Sequence, residues 1–197
     1  MTARHPSASP TPIRFGSRPM IAAGFVKRKG QDELFDAIFA HSEPRTVLTG
    51  MRGSGKTQLA AAVATRCEEE EWPLVAWIHA TSRKEILTGL HKLALRIGID
   101  APKNIPLEVI VRGLLDRLRS VEAADRLFVF DNVENPDDLR GLIPEGAGVR
   151  TLVTTPRRLG WDRLGWLRVT VGAFDREQSI SLLCEHTGDT HREAADR

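Results

Sequence analysis

Residues 46–64 read TVLTGMRGSGKTQLAAAVA: a short β-branched run, a glycine-rich turn closing on Gly-Lys-Thr, then a run of helix formers. Gly50, Gly55, Lys56 and Thr57 fill every fixed position of G-x-x-x-x-G-K-[ST], with a strand signal before the turn and a helix signal after it. Each residue type has a physical reason. Gly50, Gly53 and Gly55 allow backbone conformations closed to other residues and let peptide N–H groups reach an anion. Met51, Arg52, Ser54 and the following Gln58 complete the stretch expected to surround the phosphates. A helix beginning near Lys56 adds its dipole and unpaired N–H groups to the same anion. Lys56 is then expected on the β- and γ-phosphates, and the Thr57 hydroxyl on Mg²⁺.

The rest of the chain narrows the setting. At 197 residues it is long enough for one domain with a real core. Lys+Arg 28 against Asp+Glu 26 is nearly balanced, and there is no polybasic block, so nucleic acid is not an implied partner. Cys67 and Cys184 lie far apart in helical patterns, which suits buried free thiols and a reducing, cytoplasmic location. The 6 histidines form no metal-ligand spacing, so Mg²⁺ is expected to arrive with a nucleotide. No run approaches the roughly 18 apolar residues of a membrane span.

Residues 1–20, with their four prolines and no acidic residue, read as a flexible Pro/Ser-rich lead-in, and 21–197 as the nucleotide-binding domain. A helix is expected from about Gly30 to Ala40, where Leu34 and Ile38 share a face. Strands and helices then alternate, which argues for a parallel sheet covered on both faces. The strands are RTVLT, LVAWIH, RLFVFD, RTLVTT and WLRVTV. The helices run over KTQLAAAVATRCEEEE, KEILTGLHKLALRIG and PLEVIVRGLLDRLRSV. Asp175 and Gln178 form a capping box for a last helix, and REAADR reads as the opening turn of another, so the chain is expected to stop short of further domains. The tryptophans Trp72, Trp77, Trp161 and Trp166 are expected as packing residues.

A magnesium nucleotide also needs a carboxylate on a neighbouring strand. RLFVFDNVE supplies Asp131 after four apolar residues, at the carboxyl tip where open α/β sheets place their ligands. Asn132 stands where many P-loop ATPases carry a second acid. An amide cannot take a proton at neutral pH, so Asn132 is expected to orient water, with Glu134 the nearest carboxylate and turnover slow. RTLVTTPRR places Thr154, Thr155, Arg157 and Arg158 just past a strand tip, where hydroxyls and a guanidinium can sense a γ-phosphate; either arginine fits that role.

Taken together, GFVKRKGQDEL, LTGMRGSGKTQLA, LFVFDNVENPDDLRGLIP, TLVTTPRR and VTVGAFDREQSISLL resemble the NB-ARC nucleotide-binding domains of STAND-class ATPases, closest to bacterial forms that continue into tetratricopeptide repeats. The resemblance implies a P-loop NTPase three-layer sandwich, with a five-stranded parallel sheet ordered 2-3-4-1-5 and helices on both faces. It implies adenine near FVKR, where Val26 and Arg28 match the family pattern and Lys27 replaces its glycine. Pro156 stands where many relatives carry the sensor arginine, which passes that role to Arg157. The family's helical, winged-helix and sensor domains, its expected partners within the full-length protein, are not among these residues. Such proteins hold ADP when inactive and exchange it for ATP to assemble, so the expectation is a low-turnover switch ATPase with self-association only in the ATP state. Two alternatives stand beside it: a non-hydrolysing nucleotide-binding interaction module, and a small-molecule P-loop kinase, against which the sequence offers no arginine-rich lid after Asp131.

Overall fold

The computed structural model describes residues 11–22, 30–40, 43–100, 102, 104–158 and 160–172. In chain order these are β1 (Ile13–Phe15), α1 (Gln31–Phe39), β2 (Arg45–Thr49), α2 (Lys56–Glu69), β3 (Leu74–His79), α3 (Arg83–Arg96), α4 (Leu107–Ser120), β4 (Arg126–Asp131), β5 (Val149–Thr155) and β6 (Leu167–Thr170). Short 3-10 turns cover Pro136–Leu139 and Asp162–Leu164. The last helix expected from Asp175, its Gln178 and Cys184, and the stretch with Val26 and Arg28 lie outside the described residues.

All six strands pair in parallel, in the order β1-β3-β4-β5-β2-β6. Counting from β2 as the first expected strand, the five foreseen ones stand as 2-3-4-1-5, and β1 is an addition at the β3 edge. The central strands read as continuous apolar runs because both faces are covered: every residue of β5 is buried, and in β4 all but the first. Alternate side chains enter two cores. Phe128 and Phe130 join Leu90, Leu114 and Trp161 on the α3–α4 side, while Leu127 and Val129 join Leu34, Ile38 and Leu59 on the α1–α2 side.

Each helix follows from its pattern. α4 buries Ile110, Val111, Leu114, Leu115 and Leu118, one face of a 3.6-residue repeat. α3 starts at Ser82, whose side chain accepts from Glu85 N–H, while the Glu85 carboxylate accepts the Thr81 N–H at 3.2 Å. α2 is buried almost around its circumference, and Ala60, Ala61 and Ala64 keep it slim enough for that. All four tryptophans are packing residues, Trp161 and Trp166 meeting edge to face at 5.3 Å.

The segment read as a lead-in is partly built into the domain. Residues 1–10 lie outside the described residues, but 11–22 form β1 and then a strap that runs antiparallel along α2. Ile13 and Phe15 pack against the α3–α4 core, alternating with Arg14, whose guanidinium donates to Trp72 O at 2.7 Å beyond the end of α2. Gly16 follows at φ +88°, where an added Cβ would stand 1.9 Å from Trp77 O. Arg18 donates to Ala61 O at 3.3 Å, to Glu68 Oε2 at 3.0 Å, and to the Thr65 hydroxyl. Three residues are a short strand, and the surrounding prolines hide the alternation that could have announced it.

Candidate phosphate-binding site

β2 ends at Thr49, and the chain turns through residues 50–55 into α2, so the loop lies at the carboxyl edge of the sheet. Gly50 is held there by backbone crowding: an added Cβ would stand 2.3 Å from Val171 O, just beyond β6. Gly53 and Gly55 take left-handed φ of +78° and +87°, the conformations that turn successive N–H groups toward one centre. Gly55 is the N-cap of α2 and has no side chain to offer its open N–H groups, leaving them for an anion.

Lys56, 9% exposed, donates from Nζ to Gly50 O at 2.9 Å and to Met51 O at 2.7 Å. Burial pushes its pKa down; Asp131 opposes that and Arg52 adds to it. An ammonium has three donors, so one remains for a phosphate oxygen. Among the described residues the ammonium pairs with no carboxylate at bonding distance and is held instead by two loop carbonyls.

Thr57 Oγ1 donates to Asp131 Oδ1 at 2.9 Å, joining the first turn of α2 to the tip of β4. A hydroxyl and a carboxylate oxygen side by side are hard donors of the kind Mg²⁺ takes. The residues present therefore fit magnesium. Thr154, buried in β5, donates to Asp131 Oδ1 at 2.6 Å and accepts the Asn132 N–H at 2.8 Å. Its hydroxyl, expected to sense phosphate, is occupied in aiming the carboxylate. Thr155 is likewise buried and accepts the Arg157 N–H at 3.1 Å.

The loop after β4 carries the other candidates. Asn132 is exposed, with φ +63°, a left-handed residue immediately after Asp131. Glu134 pairs with Arg52 at 3.2 Å, bridging the rim of the cradle. Arg157 and Arg158 are both exposed beyond β5, and no side-chain bond from either is formed among the described residues. Met51 is also exposed, and Ser54 is buried beneath the loop.

Gln58 does something the motif does not announce. Its Oε1 accepts the Ala22 N–H at 2.8 Å and its Nε2 donates to Met20 O at 3.2 Å. His79 ends β3 in register with Asp131, a placement visible only once the strands are paired.

No protein-family model and no curated protein matches this sequence. Among solved structures, Cdc6p from Pyrobaculum aerophilum is similar with a TM-score of 0.65 at 14% identity, over 85% of this chain and 52% of that one. A signal transduction ATPase with numerous domains and a tetratricopeptide-repeat sensor, from Pyrococcus horikoshii, gives 0.52 at 20% identity, over 93% of this chain and 28% of that one. Drosophila ORC bound to DNA gives 0.54 at 16% identity, over 84% and 46%. This chain thus spans about half the length of the first and about a quarter of the second. What is shared at these identities is the fold, that of the P-loop nucleoside triphosphatases.

Proposed function

We propose that this chain is the nucleotide-binding core of a switch ATPase of the signal-transduction type, holding ADP or ATP with Mg²⁺ and hydrolysing ATP slowly to control assembly. The observation that carries the reading is the Thr57–Asp131 contact at 2.9 Å beside the buried Lys56, since it unites a charge for phosphate with a paired oxygen site for magnesium. The sequence resemblance to NB-ARC domains supports the switch role, and the fold likeness to a repeat-bearing signal-transduction ATPase agrees with it.

In this reading, Lys56 exchanges the carbonyls of Gly50 and Met51 for the β- and γ-phosphate oxygens, while N–H groups from Gly53 to Thr57 line the same charge. Thr57 and Asp131 would hold Mg²⁺, which would supply positive charge against the phosphates. Thr154 fixes the rotamer of Asp131, so the carboxylate needs no rearrangement to take the metal. Glu134 orients the attacking water after leaving Arg52, and Asn132 can donate to that water without accepting its proton. Arg157 is the side chain left to read the γ-phosphate. A base that must first break an ion pair, and an amide beside it, keep turnover low. Helical, winged-helix and repeat domains are the proposed partners in the longer protein.

The Arg52–Glu134 pair also favours a second reading, a nucleotide-binding module that does not hydrolyse. Product analysis after incubation with Mg-ATP, with and without candidate hydroxyl acceptors, separates the readings. Slow release of ADP and phosphate without an acceptor supports the switch, and intact ATP on a folded, nucleotide-loaded protein supports the module. Phosphate transferred to an acceptor overturns both.

A further inference from the structure

Strand β1 stops before its neighbour does. It pairs with β3 from Ile13↔Leu74 to Phe15↔Ala76, and β3 runs on to His79. On the β1 side Ile13 N–H donates to Pro73 O at 2.8 Å, and on the β4 side Ala80 N–H donates to Asp131 O at 2.8 Å. Backbone groups alternate in direction along a strand, so the N–H and C=O of His79 face outward, past the end of β1. No described residue bonds to either. The chain itself leaves the strand line one residue after β1, at Gly16, left-handed at φ +88°.

This free strand tip opens into a groove of about 660 Å³, within the ~300–1,000 Å³ of ligand-sized clefts. Phe15 and Ile78 lie along it, and α3 forms its wall. Gly89 brings that helix close, since an added Cβ would stand 2.8 Å from Ile78 Cγ2. Lys84, Thr88 and Lys92 follow one another at i, i+4 spacing on the wall, a single stripe of the helix. Glu85 is the acid beside them, and its carboxylate accepts the Thr81 N–H at 3.2 Å. Both lysines are exposed, and neither pairs with a carboxylate among the described residues.

We infer that this groove docks an extended acidic segment of a partner protein, which enters beside the free tip of β3 and runs over Phe15 along α3. Main-chain pairing at His79 supplies the anchor, and the lysine stripe supplies the selection, the division of labour found in strand addition. At ~1.5 Å per residue, Lys84 and Lys92 stand about 12 Å apart along the helix. An extended chain covers that span in about four residues at ~3.3 Å each, an even count that puts both acids on the same side of the segment. The spacing suits two acids on one chain better than one small anion. This surface is separate from the phosphate loop, and the inference does not depend on the nucleotide reading.

The test uses the full chain and an end-blocked, fluorescent peptide Glu-Val-Thr-Val-Glu, with binding read by anisotropy. Wild type should bind it saturably, and Lys84→Glu and Lys92→Glu should each weaken binding roughly tenfold. Arg96→Glu, the same charge change at an exposed position of α3 that does not line the groove, should have little effect. Glu-Val-Thr-Glu-Val, whose acids fall on opposite sides, should bind more weakly. Hydrogen exchange at the His79 amide should slow in the complex, a change that charge attraction alone does not produce. No binding by wild type overturns the inference, as does an equal loss in Arg96→Glu or unchanged exchange at His79. A single-stranded oligonucleotide that displaces the peptide and binds more tightly makes the stripe a nucleic-acid surface and overturns it too.

Discussion

Thr154 holds Asp131: its buried hydroxyl donates to Oδ1 across 2.6 Å while accepting the Asn132 N–H at 2.8 Å. The pair joins β5 to β4 at their carboxyl ends and fixes the direction of the Asp131 carboxylate.

Thr154→Val keeps the shape and removes the hydroxyl. It leaves the Asn132 N–H without its acceptor, at a cost of about 1–3 kcal/mol in stability, and lets Asp131 turn. The magnesium-dependent part of ADP affinity should fall about tenfold, within the 10–100-fold range for lost partners of metal ligands. Metal-free binding should stay constant. Calorimetry with and without Mg²⁺ decides it, and a loss confined to ATP would mean that the hydroxyl touches the γ-phosphate instead.

Lys56→Met should abolish pyrophosphate and nucleotide binding, a loss of at least about 2 kcal/mol for a desolvated charge-assisted contact. Its effect on the unliganded fold runs the other way. Burial holds the Lys56 pKa below its ordinary value, so the unfolded chain binds that proton more tightly than the folded one. The resulting cost is full at neutral pH and shrinks as pH rises through the folded pKa toward the ordinary lysine value. The variant should therefore melt no lower than wild type at pH 7, with wild type gaining on it in the alkaline range. A variant that melts lower throughout would show that the bonds to Gly50 and Met51 carbonyls outweigh the burial.

Arg157→Ala should weaken ATP more than ADP, because a γ-phosphate sensor has nothing to grip in the diphosphate. Stopped-flow titration with both nucleotides reads the ratio. A selective loss at Arg158 instead would assign the role to the neighbouring residue, and equal losses for both nucleotides would leave this turn as solvated surface.

Cys67 is buried under α1 and the sheet, and burial pushes its thiol pKa up, with Glu70, Asp125 and Glu68 adding to the rise. In a Cys184→Ser background, iodoacetamide should fail to label it in the native protein at pH 8 and label it at once in denaturant. Native labelling at the rate of a free thiol would mean that α2 opens readily, contrary to its packing.

The parts legible in sequence are those fixed by local chemistry. The glycine-rich turn announced the cradle, and strands buried on both faces announced themselves as apolar runs, with Asp131 at the tip of one. Nothing in TLVTT says that a carboxylate 23 residues upstream will take the Thr154 hydroxyl, so the pattern alone points it to a ligand. Nor does the motif disclose the partners of Gln58, which lie 36 and 38 residues earlier, within a proline-rich stretch. Strand β1 is too short for alternation to outweigh the prolines around it. In each case the missing information is tertiary, a choice among several possible acceptors that only the packed sheet makes.

The cradle and the end of β6 share one mechanical joint. Val171 N–H is fastened to Thr49 O at 2.8 Å, and its carbonyl fills the place where Gly50 would carry a Cβ. Tension on β6 would thus reach the peptide that opens the glycine-rich loop, backbone against backbone. Force and ligand act on the same few atoms. A tug from beyond the sixth strand would register as a change in how firmly phosphate is gripped, and a gripped phosphate as resistance to that tug.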